Sequence, residues 1–111
     1  MAIPSEIRTL IDRLNQELNQ TETDTTRGLT QVRAALSRFP ENVIMIQFFA
    51  YLNDVLLFVD ICRRRIDSIL ERITPNDVAY TEIQEAGEDL GTLLGRVLET
   101  KIEVERIINR L

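Results

Sequence analysis

Val43–Cys62 reads VIMIQFFAYLNDVLLFVDIC, and sixteen of these twenty residues are apolar. At 100° per residue the four polar exceptions, Gln47, Asn53, Asp54 and Asp60, gather into one arc of about 140°, and the rest of the circumference is apolar. A helix of this pattern needs more than one packing partner. It falls short of a membrane span, because its longest unbroken apolar run is five residues and a span needs roughly 20 with few or no charges. The stretch therefore predicts the buried central helix of a soluble bundle.

Composition points the same way. The 111 residues are enough for one domain with a real core, and 44% hydrophobic against 28% charged content is the balance of a folded chain. Four glycines, three prolines and 5% aromatics favour helices over sheets, so the expected class is all-α. A net charge of −5 gives no general attraction to nucleic acid or anionic lipid. One cysteine cannot close an intramolecular disulfide, and the first residues lack the basic start and apolar run of a signal peptide. A cytoplasmic location is the expectation.

Pro4, Pro40 and Pro75 divide the chain at nearly equal intervals, and each is followed by an acid in what would be a first helical turn: Glu6, Glu41 and Asp77. They predict three helices, at about 5–38, 41–73 and 75–110, folded as an elongated up-down-up, coiled-coil-like antiparallel bundle in a single domain. In the third start, Thr74 is the expected N-cap, with Ile73 stapled onto Val78. The first helix has its weak point at Thr21–Gly28, where β-branched residues and a glycine lower helix propensity. The apolar phase is kept on both sides, so one continuous helix is expected.

In the third helix Lys101 falls in an apolar seam, where it needs an acidic partner, expected near the bundle end. Gly87, Gly91 and Gly95 recur every four residues at a cost of about 1 kcal/mol each relative to alanine. They are expected to make room for the aromatics of the second helix.

The chain has no histidine, and a single Cys62 builds no thiolate cluster. Cys62 reads as a small buried hydrophobe. The only carboxylate group with conceivable chemistry is Glu82, Glu85 and Asp89, which share a helical face and are the candidate Mg²⁺ ligands; no cofactor is otherwise implied. This acidic face resembles the acidic helix of all-α nucleotide pyrophosphatases, a likeness that implies Mg²⁺-dependent nucleotide hydrolysis. That family places a second acidic cluster on a neighbouring helix, where this chain has only the separated Asp54, Asp60 and Asp67. The bland reading is a solvated acidic face. Arg63–Arg65 lacks the interleaved aromatics of a nucleic-acid surface and reads as a solvated turn or a partner salt-bridge site.

The proline-punctuated pattern and the segment IQFFAYLNDVLLFVDICRRRI (residues 46–66) resemble short helical cyanobacterial proteins labelled restriction endonuclease specificity subunit. The likeness implies at most the helical spacer of such subunits, acting within a restriction or DNA-handling complex through protein contacts. No target-recognition domain fits in 111 residues. The leading expectation from the residues themselves is a non-enzymatic interaction or scaffold protein. It would form a homodimer, or pair with another helical protein, through the row Met45, Phe49, Leu56, Arg63 and Asp67.

Overall fold

The computed structural model describes residues 3–111; Met1 and Ala2, part of the segment read for a signal, lie outside the described residues. Three helices follow one another, α1 (Ser5–Arg38), α2 (Val43–Ile73) and α3 (Tyr80–Asn109), and no strand occurs among the described residues. They form a rod of 59 × 19 × 16 Å. Glu22 meets Arg63 and Arg33 lies over Phe49, so α2 runs against α1. Glu17 meets Lys101 and Gly28 abuts Ile108, so α3 runs with α1. The expected up-down-up bundle is the fold.

Its core follows from spacing. Along α1 the buried positions Ile7, Ile11, Leu14, Leu18, Thr21, Thr25, Gly28 and Val32 alternate steps of four and three, and α2 does the same from Leu52 to Ile73. This spacing keeps one stripe of each helix turned toward its neighbours at a shallow crossing angle. α1 is unbroken through Thr21–Gly28 because that weak stretch carries the seam. A Cβ on Gly28 would stand 3.3 Å from Leu52 Cδ1 and 3.5 Å from Ile108 Cγ1, so α2 and α3 close on α1 exactly where its side chains are smallest. Packing outweighs propensity there. The cost is polar: the hydroxyls of Thr21 and Thr25 are buried with no hydrogen-bond partner among the described residues.

The helix starts differ from expectation at two of the three prolines. Pro4 precedes α1, and its carbonyl accepts from Ile7 and Arg8 N–H. α2 begins at Val43, two residues late, because Asn42 is the cap: its side chain accepts from Met45 N–H at 3.2 Å. Pro40 lies in the turn before it. α3 begins at Tyr80, five residues late, opened by the Ala79 carbonyl. Thr74 is no N-cap; its hydroxyl donates back to Leu70 O at 2.6 Å and so finishes α2. Residues 75–79 are used to turn the chain, and Val78 packs against the core that includes Ile73.

Lys101 finds its acid in mid-bundle, not near an end: Nζ lies 3.2 Å from Glu17 Oε1, with both side chains largely covered. The glycines of α3 do not make room for aromatics, since a Cβ on Gly87, Gly91 or Gly95 would meet nothing within 4 Å. Nor is α2 a buried central helix. Only seven of its 31 residues are buried, against ten in α1, and none lies upstream of Leu52. The reason is length. α3 ends at Asn109, where Arg110 stacks on Phe48 at 5.3 Å, and beyond that level the α1–α2 hairpin continues as two helices. Two helices cannot enclose side chains on all sides.

Candidate interaction surface

The candidate metal ligands do not converge. Glu82 and Glu85 are exposed, and Asp89 accepts from Arg72 Nη2 at 3.1 Å. The antiparallel register sets α2 arginines, Arg72 and Arg65, beside this part of α3, where a metal site would need acids. Asp54, Asp60 and Asp67 are exposed on α2, and among the described residues no group of three His, Cys, Asp or Glu side chains is placed to hold a metal ion. Cys62 is buried, and burial pushes its thiol above the usual range, as befits a core side chain.

The arginine triplet lies in mid-helix, and its members face three ways. Arg63 reaches α1, donating from Nη1 to Glu22 Oε2 at 2.8 Å and from Nη2 to Glu22 Oε1 at 3.2 Å and Asn19 Oδ1 at 2.8 Å. This bond holds the Glu22 carboxyl below its usual range. Arg65 lines the groove toward α3, and Arg64 is exposed.

The row Met45, Phe49, Leu56, Arg63 and Asp67 runs beside α1. Met45, Phe49 and Leu56 are half-buried against the core, Arg33 of α1 covers the Phe49 ring at 5.7 Å, and Asp67 is exposed. On the opposite flank Arg96 and Arg110 of α3 cover Phe58 and Phe48 at 5.9 and 5.3 Å. The wide apolar arc of α2 is thus partly roofed within the chain by guanidinium groups stacked on aromatic rings. Sequence periodicity could not show this, because the roofing side chains come from the other two helices.

What stays open is a third row, about 100° around the helix from the expected one. Val43, Ile46, Leu57 and Ile61 are 64, 47, 55 and 49% exposed, with Ala50 exposed among them. Their positions fall within an arc of about 60° at 100° per residue, pointing away from the core. Asn53 and Asp54 interrupt the row at its middle, and Arg64 ends it. Phe39 and Ile44 extend the apolar surface over the hairpin tip, at 63 and 48% exposure. α2 contains an 18-residue window apolar enough in composition to cross a membrane, yet only 17% of that window is buried by the bundle. Charge is distributed unevenly along the rod. Residues 66–89, at the end away from the hairpin tip, carry seven acids and one base, a net −6 against −5 for the whole chain.

No protein-family model, curated protein or solved structure matches this chain.

Proposed function

We propose that the protein is a non-enzymatic helical interaction module that self-associates through the outward face of α2. The observation that carries this reading is the uncovered row Val43, Ile46, Ala50, Leu57 and Ile61. Four aliphatic side chains left half exposed in one line present an apolar patch on the order of 400 Å², at the level of the largest patch on an ordinary monomer. A second copy offers the same patch, and a twofold contact covers both at once. A bilayer fits this face less well. α1 flanks α2 along its length and α3 flanks it from the level of Phe48 onward, and sinking the row into hydrocarbon would bring their charged side chains, Arg33, Arg96 and Arg110 among them, toward it at several kcal/mol each.

Light scattering separates this face from the row beside α1. The wild type is expected to be dimeric at tens of micromolar. Leu57→Asp and Ile61→Asp should give monomers with unchanged helicity and thermal stability lowered only by the loss of association. Phe49→Asp and Leu56→Asp should instead lower stability of the fold itself, by about 2–3 kcal/mol, since they place a charge against the core. A wild type that stays monomeric under these conditions refutes the proposal.

A further inference from the structure

We infer that the partner of the outward α2 face is a second copy running antiparallel, in the register that sets Ile46 opposite Ile61 of its partner. The inference rests on the self-association proposed above and specifies its geometry. In an antiparallel helix pair, opposed positions sum to a constant, and the exposed row is nearly a palindrome about the Asn53–Asp54 junction. A sum of 107 sets Ile46 against Ile61, Ala50 against Leu57 and Asn53 against Asp54, each pairing occurring twice. Small Ala50 then receives the larger Leu57, and the two polar residues that interrupt the row meet each other instead of an apolar neighbour. The contact spans residues 43–64, about 33 Å of helix. With its polar margin it reaches the lower end of stable interfaces, about 600 Å² per partner.

Charge selects this orientation over the parallel one. In a parallel pair Asp54, Asp60 and Arg64 each face their own copy, and the two acidic ends, residues 66–89, lie side by side. Antiparallel pairing sends those ends in opposite directions. The turns between α2 and α3 of the two copies then stand about 60 Å apart at 1.5 Å per residue, far beyond the Debye length of about 8 Å. The same register brings the exposed Glu41, in the turn before α2, beside Arg64 and Arg65 at the far end of the partner's row. A parallel pair would keep Glu41 and Arg64 more than 30 Å apart.

Disulfide trapping tests the register on the intact chain, since residues 46 and 61 are exposed and native Cys62 is buried. Chains carrying Ile46→Cys and chains carrying Ile61→Cys are mixed, equilibrated and oxidised gently. The mixed disulfide should exceed either self-disulfide by tenfold or more, because Ile46 and its own copy would lie about 22 Å apart. Dominant self-disulfides of Ile46→Cys would overturn the antiparallel register while leaving self-association standing. A wild type that is monomeric by light scattering would remove the proposed function itself. A charge swap supplies a second readout: Glu41→Arg and Arg64→Glu should each weaken the dimer several-fold, and the double variant should recover most of the loss. Additive losses in the double variant would count against this register.

Discussion

At the scale of the residue, the ion pairs show how the bundle handles charge. Glu22 and Arg63 are partly exposed, so their pair contributes only about 0.5 kcal/mol despite its two parallel hydrogen bonds. Its pH dependence has a definite sign. Arg63 holds the Glu22 carboxyl below the ordinary glutamate value near 4.5, against the opposing push of burial. The contribution is therefore fully present above that value and is lost as pH falls through the lower folded one. In urea unfolding, Glu22→Gln should be less stable than wild type near neutral pH, and the two should converge as the pH falls below the ordinary glutamate range. A constant gap across that range would mean that the carboxylate charge is not what Arg63 reads.

At the scale of the element, the glycines separate helix propensity from packing. Gly91 faces open space, so Gly91→Ala should stabilise α3 by about 1 kcal/mol, near 4 °C in melting temperature for a chain of this size. Gly28→Ala gains the same propensity in α1 but sets a Cβ 3.3 Å from Leu52 Cδ1 and 3.5 Å from Ile108 Cγ1, and both side chains must give way. Its net effect should be near zero or destabilising. Thermal melts of the two variants give the comparison, and a melting temperature for Gly28→Ala at or above that of Gly91→Ala would contradict the close approach of three helices at Gly28.

At the scale of the whole molecule, two apolar surfaces compete as sites of assembly: the side of α2 and the hairpin tip with Phe39, Val43 and Ile44. They predict different shapes. The rod is 59 Å long, and antiparallel packing about Asn53–Asp54 offsets two rods slightly, giving a particle of about 70 Å. Tip-to-tip packing would double the length to about 120 Å. Small-angle scattering of the dimer should therefore give a maximum dimension near the shorter figure, and a value near the longer one would move the contact to the tip.

The all-α class, the three helices, the continuity of α1 and the acidic partner of Lys101 were all legible in the sequence. Each depends on the chain's own periodicity or on the cost of leaving a charge unpaired in an apolar seam. The late starts of α2 and α3 were less legible, because Asn42 and the turn at 75–79 compete locally with proline. Only the tertiary structure decided which part of the broad apolar arc of α2 is covered. Periodicity gives the width of an apolar face but not the length of its neighbours, and here α3 ends level with Phe48 while arginines from α1 and α3 roof the flanks. For the same reason the sequence alone pointed to Met45, Phe49 and Leu56, whereas the fold leaves Ile46, Leu57 and Ile61 in the open. The candidate ligands Glu82, Glu85 and Asp89 fail on the same ground, since the side chains opposite them, Arg65 and Arg72, are set by interhelical register, which no single helix encodes.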